Sequence, residues 1–367
     1  MGSFNWLHFS DLHLVPKVNF KTQWAKDRLI DFLRDETEAG RLPCDYIFFT
    51  GDIANMGKYD GVTDFLHKLF DSLGWSNYDR VFWSVGNHDI SSRESLLRSL
   101  AIKEIRTQKN DSVLFEKYMG DPRTRDELIS ICLDGYNRCY KKVFNKKAPG
   151  PNAKTPHMPY PLPDLNLVVL NTCITSCDDE DEHKLYIQER GLIDVFKNLN
   201  RSKPTFVIGH HGIGYFRESE QDILRDLFDS NNVDAYFCGH SHKLGYIKIP
   251  GDKRDIHQIT CGGVTVGDVF KCSFIHGHYD NENHDVLIKP YSYTENKWHY
   301  DPNLDYKLNG ENRIPLTSTL IEPALQKIPV DSVPVVSENS NSIQKKQWER
   351  SAGFFRTPLF VDKTKQE

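Results

Sequence analysis

The sequence predicts an α/β fold of two packed β-sheets flanked by helices, with a helical insertion and a C-terminal extension. Three observations carry that expectation. Short apolar, β-prone runs alternate with amphipathic helical stretches up to about residue 240, the rhythm of parallel strands joined by right-handed crossovers. After Gly245 the rhythm changes to strands joined by turns, which reads as a second, largely antiparallel sheet packed on the first. At 367 residues, with 38% hydrophobic and 12% aromatic content, the chain can bury a core of that size.

Phe4 to Phe9 opens the chain as a strand, and Thr22 to Glu38 has a helical period that turns Trp24, Leu29, Phe32 and Leu33 inward. Tyr46 to Phe49 is wholly apolar, as buried parallel strands are. A helix from Val62 to Leu73 and a strand from Val81 to Val85 follow. Leu165 to Leu170, Thr205 to Ile208 and Val233 to Phe237 are further strands, separated by helices near 187–198 and 221–230. The turn-joined strands are Tyr246 to Ile249, Ile256 to Thr260, Phe270 to His276 and Val286 to Tyr291.

Two regions stand outside that scheme. Residues 92–147 are helical in pattern and carry about thirteen Lys/Arg against about eight Asp/Glu, a basic insert in a chain whose formal charge is −5. It reads either as a solvated helical insert or as a cap that steers an anionic substrate. Residues 301–367 are rich in Pro, Ser and Asn, a linker or extension that offers a route to a protein partner or a further domain. The main domain is therefore expected over residues 1–300.

No basic leader with an apolar core opens the chain, and no run approaches membrane-spanning length. Trp6 occupies the position where a myristoylation signal needs Ser or Thr. Eight scattered cysteines lack a disulfide framework, and Cys173 and Cys177 lack the second pair a zinc site needs. A reduced, cytoplasmic protein with no membrane association is the expectation. The acidic run 178–182 reads as a solvated loop, since contiguous carboxylates repel one another. His276 and His278 alternate as a strand would, which puts both on one face and within reach of a cleft.

Chemistry concentrates in five segments, each at the end of an apolar run: Asp11-Leu12-His13, Gly51-Asp52, Gly86-Asn87-His88-Asp89, Gly209-His210-His211 and Gly239-His240-Ser241-His242. Ligand sites in open α/β sheets form beyond the carboxyl ends of strands, where neighbouring loops converge. One Asp-x-His is common and a lone histidine is usually structural. Five such segments in order supply hard oxygen and borderline nitrogen donors in numbers that suit two metal ions.

This motif string, spanning residues 11 to 242, resembles the calcineurin-like metallophosphoesterases, a superfamily that includes cyclic-nucleotide phosphodiesterases, SbcD-type nucleases and purple acid phosphatases. The resemblance implies a four-layer αββα sandwich and a binuclear centre. It assigns Asp11, His13, Asp52 and His242 to one metal and Asn87, His210 and His240 to the other, with Asp52 bridging. A carboxylate has two oxygens and can span ions about 3.5–4 Å apart. The same pattern takes His210 rather than His211 as ligand, which leaves His211 behind the ligands or against phosphate.

The implied reaction is hydrolysis of a phosphodiester by a metal-bridging hydroxide, since two ions lower the pKa of a shared water from about 15.7 towards about 7. His88, next to a ligand, is the candidate acid for the leaving alkoxide, a role typically worth about 10²–10⁴ in rate. Asp89 closes its loop. Protein phosphatases of the superfamily carry an acid and an arginine where this chain has Asn55 and Met56, which disfavours a doubly charged monoester relative to a diester. The expected substrate is a nucleic acid or a cyclic nucleotide. A phosphomonoesterase and a non-catalytic metal-binding module of a larger assembly are the alternatives. Asp/His/Asn donors accept manganese, iron, zinc or nickel, and availability often decides; two divalent ions, manganese first among them, are the expectation.

Overall fold

The computed structural model describes residues 2–14, 20–76, 78–90, 95–107, 111–146, 156–177, 181–264, 272–302 and 312–316. Among these, the strands are β1 (Phe4–Phe9), β2 (Tyr46–Thr50), β3 (Val81–Ser84), β4 (Met158–Pro161), β5 (Asn166–Val169), β6 (Thr205–Ile208), β7 (Val233–Cys238), β8 (Gly245–Ile249), β9 (Ile256–Thr260), β10 (Ser273–Asp280), β11 (Asp285–Thr294), β12 (Lys297–Tyr300) and β13 (Arg313–Pro315). The helices are α1 (Phe20–Glu38), α2 (Val62–Ser72), α3 (Leu96–Thr107), α4 (Asp111–Gly120), α5 (Pro122–Ile129), α6 (Asp134–Phe144), α7 (Glu189–Lys197) and α8 (Glu218–Ser230).

Two sheets form, as expected, but the strands divide between them differently. One sheet runs β12-β11-β10-β1-β2-β3 with β13 beside β11, and the other runs β4-β5-β6-β7-β9-β8. Each therefore joins a parallel set, β1 to β3 or β5 to β7 and β9, to antiparallel neighbours. The turn-joined strands do not make a sheet of their own. Burial pattern reports how a strand is covered and is silent about which strand lies beside it.

Alternation along the strands builds the layers. Trp6, Phe48, Phe206 and Phe237 face one another between the sheets, with Trp6 edge-on to Phe206 and Phe237 at centroid distances of 5.4 Å. Gly277, opposite Trp6 on β10, makes room for the indole: a Cβ there would stand 2.1 Å from its ring. Leu7, Phe9, Ile47 and Phe49 point the other way, onto α1, α2 and α6. Val168, Val207 and Tyr236 pack outward onto α7 and α8. The result is helix, sheet, sheet, helix.

On α1, Leu29 and Leu33 are buried as expected, but Trp24 is 39% exposed. The Arg28 guanidinium lies over its ring at 5.8 Å, so cation–π packing takes the place of core burial. The insert contributes four helices, α3 to α6. Ala101, Ile102, Ile105, Phe115 and Leu128 close a small core of their own with Ile174 and Tyr186. Its positive excess is partly spent internally: Arg98 is buried, Arg138 pairs with Asp134, and Lys146 pairs with Asp79. The body also continues past residue 300, because β13 pairs with β11 and buries Ile314 between the sheets. The Pro/Ser/Asn-rich stretch from residue 317 onward, and the expected strand start at Phe270, lie outside the described residues.

Glu220, in the first turn of α8, is buried and accepts the Ile187 N–H at 3.0 Å. Burial pushes its carboxyl up to about 7 from an ordinary 4.5. The folded chain thus holds this proton longer than the unfolded chain does. The stability this confers is fully present below about pH 4.5 and is lost as pH rises through about 7. Glu220→Gln keeps the acceptor and removes the ionisation. It should match the parent in urea unfolding at about pH 3.5 and exceed it at about pH 8 by about 3 kcal/mol. A pH-independent difference would refute this.

Candidate metal centre

The C-terminal ends of β1, β2 and β3 meet those of β6 and β7 at one edge of the sandwich, and the five chemical segments are the loops that leave those ends. Backbone hydrogen bonds weave the loops together. Asp11 N–H donates to Gly51 O at 3.0 Å, His13 N–H to Asp52 O at 2.9 Å, and Gly239 N–H to His210 O at 2.9 Å. The fit is close enough that a Cβ on Gly86 would stand 2.1 Å from Asp52 Oδ1. Asp11, His13, Asp52, His240 and His242 all have positive φ, between 42° and 66°. That left-handed region is uncommon for residues other than glycine.

Two groups of donors result. In the first, His13 Nε2 and His242 Nε2 are 3.2 Å apart, and Asp11 Oδ1 lies 3.4 Å from His242 Nε2 and 3.9 Å from His13 Nε2. In the second, Asn87 Oδ1 lies 2.9 Å from His210 Nε2 and 3.1 Å from His240 Nδ1, and those two nitrogens are 3.2 Å apart. Asp52 Oδ2 joins the groups, 3.8 Å from His13 Nε2 and 3.3 Å from His210 Nε2. Donors about 2.1 Å from a common ion, in tetrahedral or octahedral arrangement, stand about 3.0–3.4 Å apart for neighbouring ligands. The donor set matches two such ions, closely in the second group and more loosely in the first, where His13 Nε2 stands 3.9 Å from Asp11 Oδ1 and 3.8 Å from Asp52 Oδ2. It does so through one oxygen of Asp52, because Oδ1 accepts the His88 backbone N–H at 2.7 Å. The expected use of both oxygens is not what the geometry offers.

Protonation suits this reading. Burial, opposed by Asp52 and Asp11, lowers His13 to about 4, and burial reinforced by His210 lowers His240 to about 3. Both imidazoles are neutral at pH 7 with a lone pair to give. Burial also disfavours charge on His210 and Asp52, but each holds the other charged: His210 rises to about 9 and Asp52 falls below the ordinary carboxylate range, with His13 and His88 assisting. His210 Nδ1–H donates to Thr50 O at 2.7 Å, so the exchangeable proton sits on Nε2, facing Asp52. A cation binding there displaces that proton.

Around the donors, His88 is half-buried with its ring edge-on to His13 at 4.7 Å, and its Nδ1 lies 3.1 Å from Asn55 Oδ1. Asp89 accepts Ala54 N–H at 2.8 Å and Gly86 N–H at 3.0 Å, and burial together with Asp52 pushes it up to about 7. His211 is fully buried, with Thr172 Oγ1 at 3.0 Å on one side and Asp181 Oδ2 at 3.7 Å on the other. It has no surface to offer a phosphate.

Two residues that sequence reasoning passed over enter here. Thr172 follows β5, so a sixth strand end was visible in the sequence, and its lack of a charged or imidazole side chain hid it. Asp181 belongs to the acidic run read as solvated. It is fully buried, paired with Arg106 and hydrogen-bonded by Ser176, while residues 178–180 lie outside the described residues. His276 and His278 do not approach the cleft. His276 Nε2 contacts Pro43 O at 2.9 Å and His278 Nδ1 contacts Asn5 Oδ1 at 2.9 Å, near the opposite end of β1.

No disulfide links the eight cysteines, and no helix among the described residues is long and apolar enough to cross a membrane. By sequence the chain is 26% identical over 328 residues to YydB, an uncharacterised metallophosphoesterase-like protein of Bacillus subtilis (strain 168). That alignment covers 83% of this chain and 64% of the relative, so this chain spans less than two-thirds of it. Among solved structures, a purple acid phosphatase from yellow lupin (Lupinus luteus) seeds aligns with a TM-score of 0.48 and 12% identity, covering 82% of this chain and 53% of that one. A vacuolar protein sorting 29 structure from Cryptosporidium parvum aligns at 0.35 and 9% identity, covering 82% and 96%. Residues 4–244 match the profile of the calcineurin-like phosphoesterases, metal-binding hydrolases of phosphoesters, and with the metallophosphoesterase-like relative this shows that the chain belongs to that family.

Proposed function

We propose that this chain is a binuclear metal-dependent phosphodiesterase acting on a nucleotide or nucleic-acid diester, with manganese as the preferred ion. The observation that carries this reading is the single oxygen of Asp52 shared by two donor groups, with His88 standing against it. Asp11, His13 and His242 would hold one ion and Asn87, His210 and His240 the other, with Asp52 available to both. When bound, two divalent ions supply the Lewis acidity that activates water at neutral pH and offsets charge on the phosphoryl oxygens.

The chain's own groups do the rest. The His88 backbone N–H fixes the Asp52 carboxylate, and the His88 ring gives a proton to the departing oxygen. Asn55 orients that ring through Nδ1 without adding a negative charge. Met56, 52% exposed beside it, presents no cation to a phosphate dianion, which supports a diester substrate.

With Mn²⁺, the purified protein should hydrolyse bis(p-nitrophenyl) phosphate faster than p-nitrophenyl phosphate, and EDTA should stop both. Cyclic nucleotides and oligonucleotides then identify the natural class. No turnover with Mn²⁺, Fe²⁺, Ni²⁺ or Zn²⁺ would overturn the enzymatic reading. A preference for the monoester would overturn the diester assignment.

A further inference from the structure

The helical insertion is wired to the donor groups. Two arginines of α3, Arg98 buried and Arg106 partly buried, grip the turn that follows β5. Arg98 Nη2 donates to Cys173 O at 3.0 Å, Ile174 O at 3.4 Å and Ser176 O at 2.6 Å. Arg106 Nη2 donates to Thr175 O at 2.9 Å and pairs with Asp181. Four successive carbonyls therefore point at the Nη2 nitrogens of the two guanidinium groups, at the tip of a rigid planar group that lysine lacks.

That turn begins at Thr172, whose hydroxyl is buried among the second donor group. Oγ1 accepts the His210 N–H at 3.3 Å and the His211 N–H at 3.2 Å. A hydroxyl has two lone pairs and one proton, so its O–H is left to donate to His211 Nδ1 at 3.0 Å. This puts the His211 ring proton on Nε2, which faces Asp181 Oδ2 at 3.7 Å. The His211 ring in turn packs against His240 at a centroid distance of 4.4 Å. From α3, two short steps reach His210 and His240, through the turn and Thr172 or through Asp181 and His211.

We propose that Arg98, Arg106 and Asp181 are positioning residues for the second metal site, so that the insertion sets the geometry of its two histidines, His210 and His240, as one unit. The inference rests on the binuclear reading above. Groups that orient metal ligands from behind typically change metal affinity by about 10–100-fold when removed. The contacts from α3 described above lead to His210 and His240 of the second group.

The test is calorimetric titration of Mn²⁺ into the full metal-free chain, compared with Arg106→Lys and with the double variant Arg106→Met/Asp181→Asn, which leaves no unpaired buried charge. Phe228→Leu, in the core under α8, controls for general destabilisation. In both test variants one of the two Mn²⁺ steps should weaken by about 10–100-fold while the other holds within about twofold, and excess Mn²⁺ should restore turnover. The control should lose melting temperature with both steps intact. Two unchanged steps in the test variants, or equal weakening of both, would overturn this inference alone. A parent chain that takes up no metal would overturn the binuclear reading together with it.

Discussion

Asp52→Asn should strip the centre of metal and reduce turnover of bis(p-nitrophenyl) phosphate by at least about 10³-fold. The side chain is fully buried, its Oδ1 is committed to the His88 N–H, and its Oδ2 is the one oxygen common to both donor groups. An amide has nearly the same shape and none of the charge. It removes the anion that holds His210 protonated and that would draw two cations to one place. It also offers N–H donors to nitrogens that need an acceptor or a metal. Elemental analysis beside kinetics checks the result, and a folded variant that retains two ions and near-parental turnover would remove Asp52 from its role.

His88→Ala should have the next largest effect and a different signature. With His13 and Asp52 the ring forms a further cluster close enough to hold an ion, but both proposed donor groups are complete without it, so both ions should stay and kcat should fall by about 10²–10⁴. A proton donor matters most when the departing oxygen is a poor leaving group. The loss should therefore be greater for an alkyl diester or a nucleotide than for a p-nitrophenyl ester. Equal losses across leaving groups would make His88 an electrostatic group and not an acid.

The position of the chemistry was legible because each chemical segment ends an apolar run, and a strand's end is where its loop is free to carry function. The assignment of strands to sheets was not. β9 joins one parallel set with β8 antiparallel at its edge, and β10 to β12 flank the other, a choice made by long-range packing around Trp6, Phe206 and Phe237. Asp181 was misread for a related reason. Composition makes a run of acids look solvated, and only the arrival of Arg106 from the insertion makes burial of one member affordable. Trp24 departs from the inward position its helical period suggested, and a neighbouring arginine covers one face of the ring while 39% of the residue stays exposed. Asn55 was singled out for what it replaces, and its contact with His88 is a feature of the folded loops alone.

The left-handed backbone at Asp11, His13, Asp52, His240 and His242 has an evolutionary consequence. Each such residue holds a conformation that costs an L-amino acid about 1–2 kcal/mol, less for Asp and His than for bulkier side chains. Glycine would relieve it at any of the five. Backbone strain alone would therefore favour glycine at each of the five positions, whereas the buried hydrogen bonds of Asp11 and Asp52 and the candidate ligand atoms of all five need a side chain there.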